Sequence, residues 1–254
     1  MKNFFILLTC LFFVILNSCD TVDTDNGKRQ ITSGDDSLIP DSIKSIMKED
    51  ASHLVLRDIY SDPFKKENLA FLPNDLVESY YEGFVHIYNA KSLSTRNQVI
   101  ENYKIHTFCN LEMHYLSVSV DSSKDWVKAW CNGNRFTGNE QVDSLIETYN
   151  LQLHRVYQWF DYVTVSLYSD SAVNVYAISK KFEPIDGVRY ADPDGCAGDG
   201  NDITGSIESE YIEYNFSHGW GDCPAGCINR HYWLFHVMFD GTISFINSYG
   251  DPLP

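Results

Sequence analysis

His231-Tyr232-Trp233-Leu234-Phe235-His236-Val237-Met238-Phe239-Asp240-Gly241-Thr242-Ile243-Ser244-Phe245-Ile246-Asn247-Ser248-Tyr249 sets two runs rich in aromatic and β-branched residues either side of an Asp-Gly pair. Such a pair is the strongest short hairpin signal, because a tight hairpin turn needs positive φ and these residues tolerate it. The stretch therefore predicts a C-terminal β-hairpin. Trp233 and Phe235 are two apart, share a face and are expected in the core, while His231 and His236 fall on opposite faces by parity.

Upstream of the hairpin the period of two recurs. Residues 208–216, 162–168 and 151–157 read as strands, and residues 111–120 alternate with Leu116, Val118 and Val120 on one face. Asp121-Ser122-Ser123 reads as a turn and residues 126–131 as a returning strand. Residues 171–182 read as helical, and Gly138-Asn139-Glu140 starts a helix to Tyr149. Earlier still the period is helical. Residues 43–60 form one helix or two, Pro73-Asn74-Asp75 opens a helix carrying Leu76, Val77, Tyr80, Tyr81, Phe84 and Ile87, and residues 95–103 make a shorter one. Helices first and strands later predict an α+β fold: N-terminal helices followed by a mostly antiparallel β-sheet ending in the hairpin.

The chain has 254 residues, 44 % of them apolar, enough to repay the entropy of ordering. Its formal charge of −16 argues against nucleic-acid binding, which uses Lys and Arg to displace counterions from phosphates. It also argues against docking on anionic lipid by charge alone.

Met1-Lys2-Asn3 is weakly basic, and residues 4–16 are almost wholly apolar. Thirteen helical residues reach about 20 Å, short of the ~30 Å hydrocarbon core, so the segment has the proportions of a secretory signal. Leu16-Asn17-Ser18-Cys19 follows. This resembles the lipobox of bacterial lipoproteins, in which the signal is cut before a Cys that carries acyl chains. The resemblance implies residues 1–18 as signal peptide and Cys19 as the lipidated residue, with palmitate-type acylation and a membrane partner. An ordinary cleaved signal leaving Cys19 free or paired is the other reading. Residues 19–40 read as a flexible acidic tether, and residues 41–254 as a single α+β domain. Asp20, Asp23 and Asp25 leave the membrane leaflet open, so the expected location is the cell envelope, periplasmic or on the outer-membrane surface.

An exported chain meets an oxidising compartment, so disulfides are expected among Cys109, Cys131, Cys196, Cys223 and Cys227. Cys109 and Cys131 flank the turn at residues 120–121 and would face each other across a hairpin. Cys223 and Cys227 lie in a tight loop that could close on itself, leaving Cys196 as the odd thiol.

The most distinctive stretch is Gly219-Trp220-Gly221-Asp222-Cys223-Pro224-Ala225-Gly226-Cys227-Ile228-Asn229-Arg230-His231. Its functional reading is a Cys223 nucleophile with His231 or His218 as base and Asp222 as orienter, since a thiolate needs a base or positive group nearby. Zinc held by the two His and two Cys is a further reading, although the spacing matches no ordinary finger. With Thr137-Gly138-Asn139 and residues 182–190, the Gly-Asp-Cys-Pro-Ala-Gly-Cys motif resembles that of an uncharacterised family of secreted bacterial proteins. The resemblance implies location and unity of the region from about residue 51, and no chemistry.

Asp192, Asp194, Asp199, Asn201 and Asp202 crowd eleven residues and could ligate Ca²⁺, a hard cation that takes six to eight oxygens. The EF-hand pattern fails, because Ala197 stands where Gly is required, and a solvated polar loop would look the same. Tyr211, Tyr214, Trp220, Tyr232, Trp233 and Tyr249 are candidates for stacking on a glycan or anchoring a protein partner. No phosphate-binding Gly-rich loop and no Gly-x-Ser-x-Gly elbow occurs. The reading is a lipid-anchored envelope protein acting as a binding or interaction module. The alternatives are a secreted hydrolase using Cys223 or Cys196, and a Ca²⁺-binding envelope module.

Overall fold

The structure is a computed structural model and describes residues 30–254. Cys19 and the signal-like segment lie outside the described residues. The fold is α+β, with helices first and two four-stranded antiparallel sheets after them.

The helical part comprises α1 (Asp41–Ser61), α2 (Pro63–Asn68), α3 (Asn74–Asn89) and α4 (Ser94–Asn97), which runs into a π turn, Gln98–Asn102. The periodicity at 43–60 thus belongs to one helix. Asp62 caps α2 by accepting from the amides of Phe64 and Lys65. Inside α3, Tyr80, Phe84 and Ile87 recur at three and four, and all are buried.

The first sheet has the order β2–β3–β1–β4, from β1 (Tyr115–Asp121), β2 (Gln152–Gln158), β3 (Tyr162–Tyr168) and β4 (Val188–Pro193). Leu116 faces Leu167, Val118 faces Val165 and Val120 faces Val163. That apolar face is covered by α5 (Val127–Cys131), α6 (Glu140–Thr148) and α7 (Val175–Phe182), which bury Trp130, Ile146, Ile178 and Phe182. Residues 126–131, expected to return as a strand, are mostly the short helix α5. Trp126 and Trp130 then share a face one turn apart, 5.4 Å between ring centroids. The place beside β1 is taken instead by the Val-rich β3 and by β4.

The second sheet has the order β5–β6–β7–β8, from β5 (Asp202–Ile207), β6 (Tyr211–Trp220), β7 (Asn229–Met238) and β8 (Ile243–Gly250). Gly241 turns β7 into β8 at φ +86°. Ile212, Tyr214, Phe216, Trp233, Phe235 and Val237 form one buried face, packed under α1 and α3. Gly83 lets the two layers meet: a Cβ there would lie 1.9 Å from the Tyr214 hydroxyl, which donates to the Tyr80 carbonyl at 2.8 Å.

Two strands, β4 and β5, were not expected from the sequence. Both are edge strands, and their Pro193 and Gly205 blur the alternation that marks a strand. Of the segment expected as tether, residues 30–40 are described. Ile31 and Ile39 are buried, and the Thr32 amide donates to the Phe239 carbonyl at 2.8 Å, so residues 30–40 are seated on the fold. The helix layer reaches the first sheet through polar ties. Buried Asn174 donates to the Lys66 and Leu69 carbonyls, and His114 pairs with Glu49 at 3.0 Å.

Candidate functional site

The two disulfides decide the cysteine chemistry. Cys223 bonds Cys227, closing the five-residue loop. Cys109 bonds Cys196, not Cys131, and among the described residues Cys131 is the free thiol. The Cys109–Cys131 expectation fell with the hairpin it assumed, since Cys131 ends α5. A sulfur in a disulfide has no thiolate to offer, so neither Cys223 nor Cys196 is a nucleophile here. His231 is committed through Nδ1 to the Asp251 carbonyl at 2.8 Å, and Asp222 is exposed. His218 donates through Nδ1 to Asn201 Oδ1 at 2.8 Å; burial, then the Arg230 cation, lowers its pKa.

The acidic run at 192–202 is divided between separate tasks. Asp194 accepts the hydroxyls of Ser117 at 2.6 Å and Ser166 at 3.1 Å, on the first sheet. Asp192 stands opposite Ser117 in β4. Asp199 pins the disulfide loop, taking the Cys227 amide at 3.1 Å and the Arg230 guanidinium, whose hydrogen bond holds its carboxyl below the usual range. Asp202 accepts from Arg57 at 2.8 Å and from the Phe108 amide at 2.7 Å, while Asn201 donates to the Tyr103 carbonyl at 3.1 Å. Among the described residues no three His, Cys, Asp or Glu side chains stand as a metal-holding group.

The aromatic candidates divide as well. Tyr214 and Trp233 are core. Tyr232 and Tyr249 stack on the outer face of the second sheet at 4.8 Å, and Tyr211 stacks on His236 at 3.9 Å. Trp159 and Phe160, at the β2–β3 tip, are exposed and were not singled out from sequence.

A well-formed concavity lies elsewhere, where α1, α3 and the π turn meet the second sheet. It encloses about 490 Å³, within the range of small-molecule sites. Ile43, Ile46 and Met47 of α1, Phe84 and Tyr88 of α3, Ile100 of the π turn, Ile105, Ile203 and Phe216 give it apolar walls. A π turn carries one extra residue per turn and recurs at functional positions; this one supplies Ile100 and Glu101 to the lining.

Five ionisable groups break the apolar wall: Asp50, Arg96, Glu101, Lys104 and His106. Asp50, 6 % exposed, accepts from His106 Nδ1 and from the Thr107 amide and hydroxyl, each at 2.8 Å. That hydrogen bond raises the pKa of His106. Behind them His53 donates to the Leu111 carbonyl at 2.9 Å, and burial pushes its pKa down. Arg96, 1 % exposed, donates through Nε to the Tyr88 carbonyl at 2.9 Å and through Nη1 to Asn97 and to the Glu101 carboxylate. Its guanidinium lies 4.9 Å from the Tyr88 ring centroid. Lys104 holds φ +47°, a left-handed conformation that costs a side-chain-bearing residue energy and gathers at functional sites.

The sequence reading singled out none of these five. They come from α1, α4, the π turn and the segment after it, and only the fold brings them together. Arg96 in the run Thr95-Arg96-Asn97-Gln98 looks like an ordinary solvated helix residue.

Fold and site define an α+β protein with two antiparallel sheets and an apolar pocket whose wall carries buried charge. No family model, no curated protein and no solved structure matches the chain. Among the described residues no helix is long and apolar enough to cross a membrane.

Proposed function

We propose that this is a lipid-anchored protein of the cell envelope that binds a small, largely apolar molecule in the pocket between α1 and the π turn. The pocket carries the binding half of the reading: apolar walls around about 490 Å³ with a few fixed polar groups are the usual make-up of a ligand site. The signal-like segment and Cys19 support the anchor, and two disulfides fit an oxidising compartment.

An uncharged fluorophore that brightens out of water, N-phenyl-1-naphthylamine, tests the binding half. Saturable one-to-one binding is expected, weakened about tenfold by Ile46→Glu, which sets a carboxylate among the apolar walls. Binding that does not saturate, or that ignores Ile46→Glu, would overturn it. Metabolic labelling with palmitate tests the anchor: label on the wild-type chain should vanish in Cys19→Ser.

A further inference from the structure

From this pocket, and resting on that reading of it, we infer the head-group chemistry of the ligand: a single-chain amphiphile ending in a carboxylate, with the anion on Arg96. The guanidinium is the deciding observation. Arg96 is buried to 1 % exposure and lines the pocket. Nε and Nη1 are taken by Tyr88, Asn97 and Glu101, whereas Nη2 meets no protein acceptor among the described residues. A guanidinium this buried on a largely apolar lining holds a positive charge that a ligand can meet, and a carboxylate is the natural partner of a guanidinium edge.

The neighbours agree in sign. Lys104 and His106 also line the cavity, and the Asp50 carboxylate favours the charged form of His106. Asp50 is itself occupied by His106 and Thr107, and Glu101, 58 % exposed, is occupied by Arg96. A cationic head would meet three positive groups, and a neutral oxygen could accept from the guanidinium but would bring no countercharge. Ile43, Ile46, Phe84 and Ile100 offer the chain an apolar wall.

Displacement of N-phenyl-1-naphthylamine by octanoate and by 1-octanol tests the assignment, because the two share a chain and differ in the head. Octanoate is expected to displace the fluorophore ~tenfold or more tightly than 1-octanol, the scale of a hydrogen bond to a charged group. Arg96→Gln should bring the two together, and Lys104→Gln, at an exposed position, should narrow the gap without unfolding the chain. Should Arg96→Gln not fold, the wild-type ratio and Lys104→Gln decide. Equal displacement by acid and alcohol overturns the head-group assignment and leaves the apolar pocket standing. A preference that survives in a folded Arg96→Gln removes Arg96 from it. Failure of the fluorophore itself to bind sinks the pocket reading and this one together. Phosphatidylglycerol vesicles separate the sources of the anion: displacement by vesicles and not by octanoate would replace the free acid with a bilayer lipid.

Discussion

The two disulfides close loops of very different length, and this fixes how much each should stabilise the fold. Cys109 and Cys196 are 87 residues apart, Cys223 and Cys227 only 4. A crosslink stabilises mainly by removing loop-closure entropy from the unfolded chain, an amount that grows with the logarithm of loop length. For these spans the loss on removing the bond is about 4.6 kcal/mol for the long loop and about 2 kcal/mol for the short one at 25 °C. At about 2–4 °C per kcal/mol for a chain of this size, Cys109→Ser/Cys196→Ser should lower Tm by roughly 9–18 °C and Cys223→Ser/Cys227→Ser by roughly 4–8 °C. Urea unfolding followed by tryptophan fluorescence on oxidised wild type and both double variants reads the difference. Equal losses, or a larger loss from the short loop, would refute the entropic argument. Alkylation of the folded wild type followed by non-reducing peptide mapping checks the premise, with label expected on Cys131 and on none of the four paired cysteines.

Packing and charge give two more tests. Gly83→Ala would set a Cβ 1.9 Å from the Tyr214 hydroxyl and 2.6 Å from its Cζ; overpacking should cost about 1–3 kcal/mol, exceeding the ~1 kcal/mol that helix propensity returns. In the Tyr214→Phe background the cost should shrink without vanishing, and a neutral Gly83→Ala in urea unfolding would contradict the close approach. His106 and His53 should tilt the pH profile of stability in opposite directions. Asp50 raises the pKa of His106 above the ordinary 6.5, so its contribution is whole below pH 6.5 and lost as pH rises through the folded-state value. Burial lowers that of His53, so its contribution is whole above pH 6.5 and lost as pH falls toward the folded-state value. Urea midpoints from about pH 5 to pH 8 should show His106→Gln flattening the alkaline fall and His53→Gln the acidic one. His114, raised by Glu49, adds to the alkaline side. The same slopes in both variants would refute the assignment.

What the sequence disclosed was local, and what it hid was not. Asp240-Gly241 fixes its hairpin by turn chemistry, and Asn139 starts α6 by accepting from Gln141 and Val142, a signal spanning three residues. Cys223 and Cys227 are four residues apart and close on each other. Cys109, ahead of β1, instead finds its partner in the connection from β4 to β5, 87 residues on, which no spacing rule could select. The return strand failed for a related reason. The turn at residues 121–123 promised a strand returning at once, but β3 and β4 pair with β1 from 41 or more residues further along. The acidic run was hard to read because Asp and Asn serve turns, caps and ion pairs as readily as they serve cations, and several of its members hold two sheets and a disulfide loop.

The pocket was hidden because its residues come from separate elements, and two of them carry a cost where they stand, which is the argument for a functional role. An apolar residue of similar volume in place of a buried ion pair is often as stable or more so, so stability alone does not select Arg96 where Ile100 and Phe84 share the same lining. Glycine adopts a left-handed φ without the steric cost that a side chain meets, so stability alone does not select Lys104 at +47° either. Both residues are cations on one cavity, in a chain whose formal charge is −16. Local choices that run against the fold's own preferences are expected where a protein meets its ligand. Asp50 and Glu101 stand on the same lining but are taken up by His106, Thr107 and Arg96, so the costs at Arg96 and Lys104 are what the proposed carboxylate head would offset.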